Sequence, residues 1–312
     1  MLPRWLTVAV RWAISMSRNG RSRVFQKRLT VTIPDKNSEP SFAMPVFSEE
    51  VVIDGPPGQY RFLATFDERA AAAGRAAVFH VDDPAVMPPV EVEVVLWGED
   101  PQLRGWLAER GIRTRPFGPD PSGAREVILV SRTPQAPGDV DAFSQLARRM
   151  ARGSTVIFLC PEVFRRGENS VGWLPLNRKG TLVGMRSWVY LKDEWTKRHP
   201  IFDGLPAGGL MDLTFYRELI PDQVWANQQP PAEVVAGAIN TSQAYSSGLL
   251  IAVHQLGAGR FVLNTLAIRE QLGHHPAAER ILRNMLRYAA QNTNKPPAEL
   301  PADFAEQLRS IG

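Results

Sequence analysis

The sequence is poor in cysteine and histidine, and these shortages exclude several kinds of site. Cys160 is the only cysteine among 312 residues, so no disulfide can form within the chain. Of the five histidines, His274 and His275 are adjacent, and neighbouring side chains on a helix diverge too far to share a metal ion. Gly98 stands alone rather than in a GxGxxG motif. We therefore expect neither a metal site nor a cofactor.

The sequence also lacks a block of charge of one sign and a long hydrophobic run. The net charge is +4, and the basic residues are scattered, so we expect no nucleic-acid binding. The apolar stretch at 5–16 is interrupted by Arg11 and is too short to span a bilayer, so we expect no membrane association. We interpret residues 1–23 as a disordered or atypical N-terminal arm. The compartment stays open between cytoplasm, periplasm and secretion.

What the sequence does contain first is a β pattern over residues 24–83. Residues 29–33 alternate between apolar and polar, and 51–53 precede a turn rich in glycine and proline at 54–58. Short strands at close spacing predict a small β-sandwich, complete or incomplete. The prolines of 84–89 then predict a stiff linker.

From residue 90 the pattern changes to strands that alternate with helices. Apolar runs at 92–97, 126–130 and 155–159 are typical of strands buried on both faces, and we expect the last two to be central. Asp100 followed by Pro101 predicts the start of a helix after the first run. The chain over 90–290 is therefore predicted to be an α/β domain with a parallel sheet covered by helices on both faces. A hairpin is expected around 257–259, a helix near 276–290, and a loose tail over 291–312 with one short helix.

Several short motifs resemble known families. Residues 195–206 (WTKRHPIFDGLP) and 257–262 (GAGRFV) resemble the glutamine-amidotransferase-like, or flavodoxin-like, fold in its ThuA-type version. The motifs LWGEDP, LCPEVF, GWLP and NMLRY, which begin at residues 96, 159, 172 and 284, resemble the C-terminal module of bacterial family 2 glycoside hydrolases. Residues 58–62 and 78–81 resemble the immunoglobulin-like sandwich that precedes this module. The resemblance covers about 42–290 and implies a bacterial protein of carbohydrate metabolism, similar to β-galactosidases.

The resemblance implies catalysis by two glutamates on a TIM barrel, and the chain has no room for one. Such a barrel needs about 250 residues, and the retaining pair of carboxyl groups lies about 5 Å apart. We therefore expect a non-catalytic accessory or assembly module whose barrel is absent from this chain. Its expected partners are that barrel or other subunits, including further copies of this chain. One alternative is a carbohydrate-binding protein, and another is a cysteine-dependent amidotransferase-like hydrolase that uses Cys160.

The weak catalytic candidate is Cys160, which follows a buried strand where amidotransferases place their nucleophile. The flanking glycines of a nucleophile elbow are absent, and Pro161 removes the next backbone amide. An inert core cysteine is therefore the favoured interpretation. Glu99, Asp100 and Glu162 are ligand candidates because they follow parallel strands at the edge where such sheets bind ligands. The alternative for Asp100 is a helix cap.

Aromatic residues are concentrated in the connection over residues 173–195. They are Trp173, Trp188, Tyr190 and Trp195. Flat aromatic faces stack on sugar rings, but they also fill cores and subunit interfaces. We therefore expect these residues to form an interface or to pack internally, and sugar contact is the alternative.

Overall fold

The computed structural model describes most of the chain in two compact units, divided between Val86 and Met87. The described residues are 8–18, 22–33, 47–53, 55–66, 76–81, 83, 86–118, 123–131, 140–185, 193–241, 245–291 and 293–309. The division lies inside the linker predicted at 84–89.

The first unit is a four-stranded antiparallel sheet with the strand order β2-β1-β3-β4. Its strands are β1 (Val8–Arg18), β2 (Ser22–Ile33), β3 (Gly58–Phe66) and β4 (Ala76–Val81). The disordered arm expected over 1–23 is wrong for 8–18 and 22–23, because β1 pairs with both β2 and β3. Arg11, which we took as an interruption, is one polar member of an alternating strand pattern. Within the described residues this unit has one sheet, not the two facing layers of a sandwich.

The second unit is a mixed α/β domain around an 11-stranded sheet, which confirms the α/β class. The strands are β5 (Val94–Trp97), β6 (Thr114–Pro116), β7 (Val127–Val130), β8 (Thr155–Phe158), β9 (Thr181–Gly184), β10 (Asp193–Thr196), β11 (Gly209–Leu210), β12 (Gln223–Ala226), β13 (Glu233–Asn240), β14 (Ser246–Leu256) and β15 (Gly259–Asn264). The helices among the described residues are α1 (Pro101–Glu109), α2 (Val140–Arg152), α3 (Leu213–Tyr216), α4 (Ile268–Gln271), α5 (Pro276–Ala290) and α6 (Phe304–Arg309). Two 3-10 turns lie at Pro161–Phe164 and Pro200–Phe202.

The sheet is parallel in one half only. Five strands run parallel in the order β6-β5-β7-β8-β15, which is 2-1-3-4-5 by their sequence order. Both predicted central strands, β7 and β8, have neighbours on each side and are confirmed. The other half is antiparallel: β14, β13, β10 and β11 extend the sheet, and β12 and β9 branch from β14. The predicted parallel sheet is therefore confirmed for one half of a mixed sheet only.

The parallel strands alternate their side chains between two apolar layers. Leu96, Leu129 and Ile157 lie in the layer with α1 and α5, whereas Ile128 and Phe158 lie in the opposite layer with α2 and α6. Helices therefore cover both faces, as the apolar runs predicted. The short helix expected in the tail over 291–312 is confirmed as α6, but this part of the tail is not loose, because α6 buries Phe304 against the second layer.

The two glycines of the GAGR motif are required by the backbone around them. β14 and β15 form the predicted hairpin, and Gly257 adopts a φ of +59° in its turn. A Cβ at Gly259 would lie 2.0 Å from the carbonyl oxygen of Met150 and 2.3 Å from that of Ser154. Only glycine allows β15 to start so close to the end of α2.

A buried ion pair lies beside the start of β7. Arg149 Nη1 donates to Glu126 Oε2 over 2.9 Å, and both side chains are at most 6% exposed. Arg115 contacts the other oxygen of Glu126 and also pairs with Glu93, whose side chain is 48% exposed.

We expect Glu126→Ala to lower the free energy of unfolding by about 3–5 kcal/mol, because it leaves the Arg149 charge buried without a carboxylate. Urea denaturation of purified variants measures this loss. Glu93→Ala is the matched control and should cost less than about 1 kcal/mol, because its pair is solvated. Equal losses in the two variants would contradict the buried-pair interpretation.

Candidate functional site

The carboxyl ends of the parallel strands open into a cleft of about 370 Å³. This is the edge where open α/β sheets bind ligands. Its lining residues come from the ends of β8 and β15 and from the segment before β12. They are Leu159, Cys160, Pro161, Glu162, Pro221, Asp222, Gln223, Thr265, Leu266, Ala267 and Glu270.

Asp100 lies beside this edge as the N-cap of α1, with its carboxylate fully occupied. Oδ1 accepts from the Leu103 amide at 3.0 Å and from Arg269 Nη2 at 2.7 Å. Oδ2 accepts from the Ser131 hydroxyl at 2.7 Å and from Arg269 Nε at 2.7 Å. Two hydrogen bonds on each oxygen leave no acceptor for a ligand. The cap interpretation of Asp100 is therefore the one the geometry supports.

The charge state of Asp100 follows from these contacts. Burial raises the pKa of this carboxyl, but the hydrogen bonds from Arg269, the Leu103 amide and Ser131 outweigh it and lower the pKa to about 2. Asp100 is thus an ion held in a fixed pair. It ties the end of β5 to the segment after β15.

Cys160 is half-buried and lines the cleft, so the expected placement in the core is wrong. Its backbone is extended, with φ −140° and ψ 144°, and the 3-10 turn at Pro161–Phe164 begins directly after it. The thiol donates to the carbonyl oxygen of Ser131, with Sγ 2.6 Å from that oxygen. A thiol that donates is protonated, and the nucleophile would have to be the thiolate.

The residues around Cys160 supply little acid–base chemistry. No histidine is among the lining residues that the structure describes. Arg269 interacts electrostatically with Cys160, but its guanidinium is paired in bidentate fashion with Asp100. Asn264 fixes the wall by donating to the carbonyl oxygens of Leu159 and Leu266, both at 2.8 Å.

The remaining acidic candidates lie at the surface. Glu99 and Glu162 are exposed, and of the two only Glu162 lines the cleft. It shares the lining with Asp222 and Glu270, while no lysine or arginine lines it among the described residues, so the cleft disfavours anionic ligands. In the described part of the chain no group of three or more histidine, cysteine or acidic side chains is placed to hold a metal ion. Nor is any described helix both long enough and apolar enough to cross a bilayer.

The predicted aromatic residues do not form one surface. Trp173 is 3% exposed, and its ring stacks on Phe143 at 4.9 Å, so its geometry supports the packing interpretation rather than a sugar contact. The spacing of apolar residues around Trp173 gave no sign that it faces α2. Trp188 and Tyr190 lie outside the described residues. Trp195 is half-buried on β10 and lines a separate pocket.

That pocket also contains residues that sequence reasoning missed. They are Trp225, Asn227, Gln228 and Tyr245. They come from β12, the loop after it and the start of β14, so no local motif joins them. A run of glutamines at 228–229 before two prolines was the only sequence signal.

A polar cluster joins three of the resemblance motifs at the opposite end of β15. Glu233 Oε1 accepts from Arg260 at 3.0 Å and from the Tyr288 hydroxyl at 2.6 Å, and Oε2 lies 3.1 Å from His199 Nε2. Burial raises the pKa of Glu233, but the hydrogen bonds from Tyr288 and His199 and the charge of Arg260 lower it overall. His199 also caps the turn at Pro200–Phe202, as expected for a structural His-Pro residue.

We expect Asp100→Asn to lower the free energy of unfolding near neutral pH by an amount on the order of 2 kcal/mol. The folded pKa of about 2 lies below the ordinary value of 3.8 for this carboxyl, so the stabilisation is complete above pH 3.8 and is lost as the pH falls towards 2. Urea denaturation across that range measures it. The variant should lose this part of the pH dependence, and Glu99→Gln, the exposed neighbour, should keep it. An unchanged acid limb in Asp100→Asn would refute the pair.

Comparison with known proteins gives only distant likenesses. No family model and no curated protein matches the chain. A cytoplasmic protein from Salmonella typhimurium matches with 11% identity and a TM-score of 0.40, over 63% of this chain and 98% of that one. A β-galactosidase from Bacillus circulans matches with 12% identity and a TM-score of 0.36, over 67% of this chain. The match spans only 32% of the β-galactosidase chain, and neither likeness is close enough to assign a function.

Proposed function

We propose that this chain is a non-catalytic accessory module that acts in carbohydrate metabolism, in the context of a glycoside hydrolase. The observation that carries the non-catalytic part is the backbone at Cys160. A nucleophile elbow holds its residue in a sharp, strained turn between strand and helix. Cys160 is extended instead, and a proline follows it, so no backbone amide after it can bind an oxyanion.

The surroundings of the thiol support the same conclusion. Its proton is directed at the carbonyl oxygen of Ser131, and ionisation would place a thiolate against that oxygen. The guanidinium of Arg269, which interacts electrostatically with Cys160, is already paired with Asp100. Nucleophilic catalysis needs a base within hydrogen-bond reach of the nucleophile, and the described lining of the cleft contains no histidine to serve.

The finer fold assignment belongs to this proposal. The parallel order 2-1-3-4-5 is that of flavodoxin-like sheets, which supports a glutamine-amidotransferase-like core. In this proposal the antiparallel sheet of the first unit is part of an immunoglobulin-like layer. The partners that fit the role are a catalytic barrel on another chain or segment, or further subunits.

We expect the purified chain to release no product from aryl β-galactosides, aryl β-glucosides or glutamine, because the described part of its carboxyl edge holds no activated nucleophile. Cys160→Ala should match the parental protein in each assay. An aromatic disulfide reagent should modify Cys160 far more slowly in the folded chain than in urea, because the thiol is held as a hydrogen-bond donor.

Glu162→Gln serves as the control for a carboxylate-dependent reaction in the same cleft. Turnover that disappears in Cys160→Ala would establish the amidotransferase-like hydrolase instead. Turnover that disappears only in Glu162→Gln would establish a glycosidase.

The alternative of carbohydrate binding is favoured by a different observation. The pocket beside Trp195 is aromatic and uncharged, and it lies on the antiparallel half of the sheet.

A further inference from the structure

The pocket beside Trp195 has a volume of about 260 Å³ and lies away from the carboxyl-edge cleft, with which it shares no lining residue. Its walls come from β10, β12, β13, β14 and the loop after β12. They are Trp195, Trp225, Ala226, Asn227, Gln228, Gln229, Pro231, Ile239, Tyr245, Ser247, Gly248 and Leu249. Drug-sized ligands occupy pockets from about 300 Å³ upward, so this one suits a single ring.

The lining has a particular chemistry. The described lining residues supply three aromatic side chains, three side-chain amides and two hydroxyls, and none of them is charged. A charged ligand would find no counter-ion there. A purely apolar ligand would leave the amides without partners. A neutral ring fits both kinds of lining residue. The C–H bonds on its faces contact the aromatic side chains, and the hydroxyls at its edge bond the amides.

The strongest sign that this pocket takes a polar ligand is Gln228. Its side chain is about nine-tenths buried, and neither the amide nitrogen nor the amide oxygen has a hydrogen-bond partner. The indole nitrogens of Trp195 and Trp225 are also buried without a partner. Each buried polar group without a partner destabilises the folded state. A buried polar group without a partner calls for an explanation, and a binding site is one. Ligand hydroxyls can accept from the indole nitrogens, and they can bond the nitrogen and the oxygen of the Gln228 amide.

The loop that carries Gln228 is braced in one conformation. Asn227 has a φ of +58° and is the one non-glycine residue with positive φ among those described. The backbone amides of Asn177 and Arg178 donate to the side-chain oxygen Oε1 of Gln229 at 3.1 and 3.4 Å. In return, the backbone amide of Gln229 donates to the carbonyl oxygen of Arg178 at 2.9 Å. A left-handed residue held by its neighbours is typical of a functional constraint.

The aromatic wall is equally fixed. Trp195 lies opposite Gly237 across the strands β10 and β13, and a Cβ at Gly237 would come within 2.6 Å of its ring. The Trp195 ring therefore packs directly on the backbone at Gly237, where a residue with a Cβ would clash with it. Tyr245, at the start of β14, is 72% exposed and forms the rim. One aromatic ring is fixed and another is open to solvent, which is what stacking on a ring-shaped ligand requires.

We propose that this pocket binds one neutral hexopyranose ring, either as a free sugar or as the end unit of a longer glycan. The ring stacks between Trp195 and Tyr245, and its hydroxyls bond the Gln228 amide. This inference rests on the carbohydrate-binding alternative for the same pocket and deepens it by naming the ligand, whereas the non-catalytic role does not depend on it. An apolar side chain of a partner protein is the competing occupant, and it would leave Gln228 unpaired.

The test is titration of the full chain with methyl β-D-galactopyranoside and methyl β-D-glucopyranoside, followed by tryptophan fluorescence and calorimetry. We expect saturable binding of at least one glycoside with a Kd on the order of 1 mM or below. Tyr245→Ala should weaken it about tenfold through the loss of one stacking face, and should leave the fold intact because Tyr245 is exposed. The matching disaccharide separates the two ligand sources: equal affinity indicates a one-ring site, and tighter binding indicates a glycan end.

Gln228→Leu is the sharper variant, because it should weaken glycoside binding and at the same time stabilise the fold. It should abolish glycoside binding and raise the free energy of unfolding, since it removes a buried amide that has no partner in the free protein. Gln291→Leu, an exposed glutamine outside the pocket, is the matched control and should change neither. The proposal is overturned if neither glycoside binds saturably, or if Gln228→Leu keeps the parental affinity. Glycoside turnover would overturn the non-catalytic role while leaving this site standing.

Discussion

The central strands of the large sheet bury both faces, and most other features of the second unit follow from that. β5, β7 and β8 each contain four residues, and all of them are buried. Strands of this kind need an apolar cover on each side, which α1 and α5 provide on one face and α2 and α6 on the other. Polar chemistry is thereby confined to the strand ends. The Asp100–Arg269 pair lies at one end and the Glu233 cluster at the other.

The two ends use their polar groups mainly for structure. At the carboxyl edge, four hydrogen bonds saturate Asp100, and the thiol of Cys160 is held by Ser131. At the opposite end, the residues of the most distinctive motifs, His199, Arg260 and Tyr288, meet around one carboxylate. Motifs that look functional in a sequence can therefore record a shared way of holding a fold. The unsatisfied groups of Trp195, Trp225 and Gln228 lie elsewhere, on the antiparallel half.

Periodicity and cap chemistry predicted the parallel half well. The limits of α5, the hairpin at Gly257, the Asp100 cap and the central position of β7 and β8 follow from local patterns. The antiparallel half was missed because β10 and β12 are four residues long and carry polar residues, and because their pairing is decided by distant strands. The strand β1 was missed because one arginine was taken as a break in an apolar run rather than as part of an alternation. The pocket beside Trp195 could not be predicted, since β10, β12 and β14 come together only in the folded sheet.

The position of β15 has a consequence for how the chain is made. This strand pairs in parallel with β8, although about a hundred residues separate them, and Arg269 pairs with Asp100 across 169 positions. Until the ribosome has released the chain past Arg269, β8 has an open edge and the start of α1 has no cation for its capping carboxylate. The nascent domain therefore exposes one open edge of an apolar strand while the roughly one hundred residues between β8 and β15 are made, which is the situation in which chains aggregate or recruit chaperones. Completion of the fold is a late event set by the C-terminal segment.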